Sequence, residues 1–584
     1  MLRTLVISSN QDLWPSSGSI LFLDESCINQ ETCSTLETID YEISKSTLFD
    51  QRTDDANFEA RTKIYQTVCP SVSAFLNSYH GVTYSDRYWQ IVVDHWLIRT
   101  IELIQMRYEK IEKALASKSI SEVIVPLMRV IEFPVPTSYN FYRALYDGPL
   151  SALVNGELVR TLALKFADVK VSDKSLKSDY FVPIKLERSS GSKLKLLLES
   201  FASSVSTVFS RDTDTFILNT YLPRFREFLL QISFGQVPAI YKTPSWTLNL
   251  ADTRARGLNL GSSQSSTDLE ICIRSLILKL IPKSYLEDYK TIDHLADQCN
   301  WPKTPKIICT ASDYDMNDFF KIWTAKKVAL GVPLCIFQHG NDFFTKRHHL
   351  FPEIDFCDRF IAWGSKHTPK AVSGFVLRRA IKKSKKYEEF GKLLMLSSYA
   401  RSNISVSENV GLNFFQIRDE KNFLKSLKTD LIDHVIFRTP VFNLRFTQTL
   451  ETWSNFFSEH KTKVLFETSA QNFGKSLMRS RIAVFAYYST GFLECIAAER
   501  PAICFWQNQL NDFADYVVDD FKQMERVGLI HFTPESAAKH VNKYWNDVLS
   551  WWNDPEVMCV RQDFAERYAR YSSQPVRDLK KLLT

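Results

Sequence analysis

A chain of 584 residues with 45% hydrophobic and 24% charged side chains is long enough for two large globular domains and excludes a disordered or low-complexity protein. A formal net charge of +6 permits an anionic substrate or an anionic membrane surface and gives no support to nucleic acid as a partner.

The N-terminal stretch Met1–Pro15 carries Arg3, but its apolar run is too short for a signal peptide. No segment reaches the roughly 18 uncharged apolar residues that a spanning helix needs. The eleven cysteines include no CxxC pair and no zinc-type Cys/His spacing, and Cys309, Cys335 and Cys504 sit inside apolar runs. Together these features predict reduced core thiols and a cytoplasmic protein, at most peripheral at the inner membrane.

From about Asn57 to Ser117 apolar residues recur at helical spacing, as in "RYWQIVVDHWLIRTIELIQMRYEKIEKAL", which predicts long helices in the first domain. Arg87 and Asp94 lie about two turns apart on one side of that helix, and His95 diverges by about 100°. They are candidates for the acceptor side of a cleft, and equally for ion pairs that hold helices together. The segment from about Val154 to Asp252 is less regular and yields no chemistry.

From Lys306 the pattern changes to short apolar runs alternating with helical segments. "KIICTASD", a helix from Asn317 to Leu330, "VPLCIFQ" and "RFIAWG" follow in the order of a parallel βαβ sheet. Asp313, Asp315 and Asp318 stand between the first strand and the helix, where an aspartate can serve as base, nucleophile or helix cap. Gln338, His339, Gly340 and Asn341 follow the second strand, at the carboxyl edge where open α/β sheets bind ligands. Gly340 is expected to allow a tight turn there, and His339 to donate to a phosphate or to move a proton. "TKRHHLF" adds Lys346, Arg347, His348 and His349 as possible donors to an acidic substrate.

A basic stretch over 371–391 reads as a linker. Beyond it "KLLMLSS", "HVIFRTP", "KVLFETS", "RIAVFAYY" and "AICFW" predict a second parallel domain over 392–554, followed by a terminal helix over 555–584. The fold class is therefore α/β, with two Rossmann-like domains (1–370 and 392–554) facing a cleft, a helical N-terminal elaboration and a C-terminal helix that packs back. In the second domain a strand ends at Ala486, a polar turn runs from Tyr487 to Gly491, and a helix starts near Phe492 with Glu494 in its first turn. Ser489, Thr490 and the helix N-terminus suit an anion, and Glu494 suits a ribose. A plain helix cap supported by Glu494 fits the same spacing.

The blocks "HGVTYSDRYWQIVVDHWLIRTIELIQMRYEKI", "GVPLCIFQHGND", "DRFIAWGS" and "YYSTGFLECIAAERPAICFW" resemble a family of transferases from bacterial surface-polysaccharide and flagellar-glycan loci. They are more distantly similar to the capsule Kdo transferases and the CDP-glycerol glycerophosphotransferases of teichoic acid synthesis, which are GT-B proteins with CMP- or CDP-activated donors. The resemblance implies a glycosyltransferase that moves a CMP-activated acidic sugar, of the Kdo or nonulosonic acid kind, to a surface glycan or a protein, and no cofactor or metal is expected. The alternatives are a CDP- or UDP-linked sugar or glycerophosphate donor, or a non-catalytic nucleotide-sugar-binding subunit of a polysaccharide assembly complex.

By the same resemblance the glutamine-histidine-glycine turn falls on Gln338, His339 and Gly340, the phosphate turn on Ser489 and Thr490, and the ribose carboxylate on Glu494. Where relatives place a histidine-proline pair, this chain has Arg438, Thr439 and Pro440, which offers a cation for diphosphate or carboxylate recognition. Asn341 and Asp342 replace the family's extra glycines and imply a turn that admits a different donor. Asp313-Tyr314-Asp315 and Asp212-Thr213-Asp214 spell the DxD pattern of metal-dependent transferases. Charge stabilisation by Ser489, Thr490, Arg438 and a helix dipole is the simpler expectation.

Overall fold

The computed structural model describes residues 2–24, 27–28, 39–44, 51–127, 134–146, 149–175, 209–261, 264–365, 368–377, 387–397, 412–439, 446–459, 464–468, 472–506, 510 and 513–584. Its described strands form three sheets of five, five and six strands, and every pairing between them is parallel. Parallel strands need crossovers that cover both sheet faces, which is why runs such as Leu334–Phe337 are buried along their whole length.

The first sheet holds β1 (Arg3–Val6), β2 (Ser19–Phe22), β3 (Tyr41–Ile43), β4 (Ile120–Pro126) and β5 (Lys170–Lys174), in the order β3-β2-β1-β4-β5. The expected helical elaboration is present as two thirty-residue helices, Gln51–His80 and Asp86–Leu115, but the same region also holds this parallel sheet, which the sequence reading did not resolve. Three of its five strands have only three or four residues, and with long helices between them such strands give too little alternation to stand out.

The central sheet holds β6 (Phe216–Leu218), β7 (Ile308–Thr310), β8 (Leu334–Phe337), β9 (Arg359–Ala362) and β10 (Ala371–Ser373), in the order β10-β9-β8-β7-β6. One buried apolar cluster runs from Leu5 and Phe22 in the first sheet through Trp96 to Trp323 and Phe360 in the central region, so these two sheets share a core. Because β10 pairs with β9, the central region extends past residue 370 into the stretch read as a linker. Within that stretch, residues 378–386 lie outside the described residues.

The third sheet holds β11 (Lys392–Leu396), β12 (Val435–Thr439), β13 (Leu465–Thr468), β14 (Ser480–Phe485), β15 (Ala502–Phe505) and β16 (Ile530–His531), in the order β13-β12-β11-β14-β15-β16. The order reverses between β11 and β14, and a doubly wound sheet opens a crevice at the carboxyl ends of its strands at such a reversal. This domain has its own core around Trp453, Phe437 and Phe521.

The chain end packs back as expected, in two pieces. The helix Pro555–Tyr568 covers the third sheet's domain through Phe564 and Tyr568. The helix Pro575–Leu583 then seats Leu579 and Leu583 with Leu222 and Leu230 of the central region. At its C-terminal end the first of these helices runs against Gly364, where an added Cβ would lie 1.9 Å from the Arg567 carbonyl oxygen. Only glycine fits that crossing.

Candidate active site

Strand β8 delivers the turn Gln338–Asn341 to the carboxyl edge of the central sheet. The Gln338 side chain holds the turn in shape: its Oε1 accepts from Trp363 N and its Nε2 donates to Gly340 O, both at 2.8 Å. Gln338 therefore braces the ends of β8 and β9 instead of facing a ligand. Gly340 has no positive φ, and a Cβ there would meet nothing within 4 Å. The backbone does not require glycine at this point, contrary to the expected tight turn, and the consequence of Gly340 is open space beside His339.

That space belongs to a cavity of about 120 Å³ whose walls include Arg61, His95, Arg99, Asp315, His339 and Glu353. The helix Asp86–Leu115 supplies His95 and Arg99 one turn apart, the helix Gln51–His80 supplies Arg61, the short helix Asp313–Met316 after β7 supplies Asp315, the turn after β8 supplies His339, and the short helix Pro352–Phe356 supplies Glu353. Arg99 grips Asp315 with two nitrogens, at 3.0 and 3.2 Å. His95 Nε2 lies 2.9 Å from Glu353 Oε2, and its Nδ1 lies 3.7 Å from Asp315 Oδ1. The Tyr314 hydroxyl stands 3.1 Å from both His339 Nδ1 and Glu353 Oε1.

Burial alone would raise the Asp315 carboxyl, but Arg99 and then His95 outweigh it and hold it at about 2. Burial would likewise raise Glu353, which the facing His95 keeps below the usual carboxylate range. Burial lowers His339 below its ordinary value against the pull of Glu353 and Asp315, and it lowers His349, also in the cavity wall, to about 3. In the cavity wall Asp315 and Glu353 are therefore ionised, each with a cationic or hydrogen-bonding partner, while His339 and His349 stay neutral near pH 7.

The structure does not bring all the expected residues to this cavity. Asp318 is fully buried beneath Ser138, Ser284, Tyr285 and Lys321, all of which contact its carboxylate. It ties helices together and is out of reach of substrate. Asp313 accepts from Asn317 at 2.7 Å and from Asn219 at 2.5 Å, and burial raises its carboxyl. The cap of the helix Asp318–Ala329 is Asn317, which accepts from Phe320 N, so none of the three aspartates takes the capping role.

The helix Asp86–Leu115 separates its three polar candidates as its periodicity implies. Arg87 pairs with Asp358 at 2.8 Å away from the cavity, while Asp94 is buried against Tyr65 and Cys69 with its carboxyl raised to about 7 by burial. Only His95 reaches the cavity. Of the basic run after the turn, Arg347 and His348 bind Asp55, and Lys346 lies over the Phe513 ring. The carboxylates of the two DxD patterns are likewise engaged within the chain, Asp214 by Arg211 N and Asp212 by Lys303 N. Among the described residues no group of three or more His, Cys, Asp and Glu could hold a metal ion.

Across the cleft the turn after β14 meets the turn after β8. Asn341 Nδ2 donates to Tyr488 O at 3.0 Å, and the Thr490 hydroxyl donates to Asn341 Oδ1 at 3.2 Å. Further along, Ala514 N donates to Thr345 O at 2.9 Å, and Lys346 and Phe513 form an antiparallel bridge. The helix after β14 spans Thr490–Ala497 and starts two residues earlier than expected, with Ser489 as a cap that accepts from Phe492 N at 3.3 Å. Glu494 thus falls in the second turn, where it is buried and cannot complete the cap. A Cβ on Gly491 would come within 2.9 Å of the Phe485 ring, which gives that glycine a packing reason. Arg438, at the end of β12, lies 3.6 Å from Glu467 and 3.4 Å from the Ser476 hydroxyl, and burial lowers it.

The chain is similar to MurG of Acinetobacter baumannii at 12% identity, over 51% of this chain and 77% of that one, with a TM-score of 0.29. It is similar to the wall teichoic acid polymerase TagF at 10% identity, over 67% and 98%, with a TM-score of 0.34. It is also similar to the pneumococcal O-GlcNAc transferase GtfA in complex with UDP and GlcNAc at 12% identity, over 50% and 59%, with a TM-score of 0.30. No curated protein matches it. A family model matches residues 3–583, nearly the whole chain, and the protein belongs to the LIC12162 family of transferases.

Proposed function

We propose that this transferase is a GT-B-type glycosyltransferase whose cleft lies between the turns Gln338–Asn341 and Tyr488–Gly491, with His339 as general base. The observation that carries the reading is the pair of Asn341 bonds to Tyr488 and Thr490, which join the carboxyl edges of two parallel sheets next to a histidine in an open, polar cavity. In the proposed step His339 Nε2 takes the proton of an acceptor hydroxyl, and the oxygen forms a bond to the anomeric carbon. The bond to the nucleotide phosphate breaks, and its electron pair leaves on the phosphate oxygen.

The donor favoured by the sequence resemblance is a CMP-linked acidic sugar, and CDP- or UDP-linked donors are the alternative. The N–H groups at the start of the helix Thr490–Ala497 would face its phosphate, Glu494 its ribose, and Arg438 would add positive charge. Asp315 is held as a permanent carboxylate by Arg99 and takes an electrostatic role on the acceptor side. Product formation across a panel of CMP-, CDP- and UDP-linked donors tests the reading; a subunit that binds donors without transfer would protect against unfolding and yield no product.

Among the described residues no helix is long and apolar enough to cross a membrane. Peripheral attachment has one structural support, the exposed stripe Phe225, Leu229 and Ile232 beside Arg224 and Arg226. Co-sedimentation with anionic vesicles tests it, and wild-type protein that stays in the supernatant would sink it.

A further inference from the structure

The Tyr314 hydroxyl has one proton and two partners at 3.1 Å, His339 Nδ1 and Glu353 Oε1. An ionised carboxylate only accepts, and Glu353 is kept ionised by His95, whose Nε2 lies 2.9 Å from its other oxygen. The hydroxyl proton therefore goes to Glu353. His339 Nδ1 must then be the donor to the Tyr314 oxygen, since the alternative sets two lone pairs against each other. A neutral imidazole has one N–H, so the Nε2 of His339 carries the lone pair.

This is the reverse of the free side chain, whose neutral form prefers the proton on Nε2. The wrong tautomer at a general base presents an N–H to the hydroxyl it should deprotonate, and turnover suffers although every atom is in place. Arg99 fixes Asp315, Asp315 and Glu353 flank His95, and Tyr314 links Glu353 to the imidazole.

We infer that Glu353, acting through Tyr314, is a positioning residue that locks His339 with its proton on Nδ1 and its lone pair on Nε2. This rests on the reading of His339 as the base. Neither Glu353 nor Tyr314 touches the reacting atoms in this arrangement.

The test is nitrogen NMR of the full chain labelled with ¹⁵N-histidine, with the His339 signals identified by their loss in His339→Ala. The resting wild type should show a protonated Nδ1 and a bare Nε2, and Tyr314→Phe should move the proton to Nε2. Tyr314→Phe should also lower kcat about tenfold or more, a part of what a base contributes, with little change in the KM of the donor. A bare Nδ1 in the wild type overturns the lock, as does a Tyr314→Phe spectrum identical to wild type. If Tyr314→Phe loses folding, Glu353→Gln carries the same reading, because a neutral carboxamide no longer compels Tyr314 to donate away from His339.

The two claims fail separately. Normal turnover in Tyr314→Phe beside a dead His339→Ala removes the positioning role and leaves the base, whereas normal turnover in His339→Ala removes the base itself.

Discussion

Asn341 and Thr490, 149 residues apart in the chain, meet side chain to side chain at 3.2 Å, and the same asparagine donates to the Tyr488 carbonyl at 3.0 Å. One amide thus joins the turn after β8 to the turn after β14 and sets the distance between the two walls of the cleft.

Asn341→Ala deletes both bonds while leaving each sheet's core untouched. At about 1 kcal/mol for each bond, the KM of the donor should rise roughly tenfold or more, with the thermal midpoint nearly unchanged. Steady-state kinetics read this directly, and an unaltered KM would show that the Asn341 bonds do not shape the donor site.

Cytidine nucleotides should raise the thermal midpoint, since a ligand that binds only the folded state stabilises it by about 2.7 kcal/mol at a hundredfold excess over Kd. Glu494→Ala should lose that protection. Equal protection of wild type and variant would remove Glu494 from the site, and protection by UDP in place of CMP and CDP would redirect the donor assignment.

Parts of this arrangement were legible in the sequence for definite reasons. β8 is an apolar run of four residues and β14 closes on another, Ile482–Phe485, and both lead into polar turns, so the residues at the sheet edges, His339 and Ser489 among them, could be read without coordinates. The partners of His339 could not. Glu353 and Tyr314 come from different elements, and Arg61, His95 and Arg99 reach the cavity from helices more than 200 residues earlier; no local period encodes such pairings. One signal was available: Arg99 and Glu102 follow His95 by four and seven residues on a helix, hence on one face, and all three line the cavity. The sequence also overvalued Asp318, because spacing does not reveal that Ser138, Ser284 and Tyr285 surround it, and spacing does not reveal that Glu467 faces Arg438.

Chelation should leave turnover largely intact. Asp315 is gripped by Arg99 and Asp313 by Asn219 and Asn317, so the carboxylates of the DYD pattern are already engaged by protein groups. A complete loss of activity in EDTA that Mn²⁺ or Mg²⁺ restores would contradict this.

His349 links the cavity to stability. Burial lowers it from 6.5 to about 3 in the folded protein, so below pH 6.5 the unfolded chain binds a proton that the folded one refuses. Stability from this group is present above pH 6.5 and is lost as pH falls toward 3, at up to about 1.4 kcal/mol per pH unit. Denaturant unfolding of wild type and His349→Gln at pH 7, 5 and 4 should show the variant losing less stability on acidification; parallel losses would mean that His349 titrates normally.

Turnover of His339→Ala tests the central claim. His339 stands at the end of β8, in the wall of a cavity, with Tyr314 on its Nδ1, and the account makes its Nε2 the base for the acceptor hydroxyl. With the donor found in the nucleotide panel and its acceptor, the rate of product formation should fall on the order of 10²-fold or more, while circular dichroism and thermal midpoint match wild type. A folded His339→Ala protein that forms product at a near-normal rate would contradict the account.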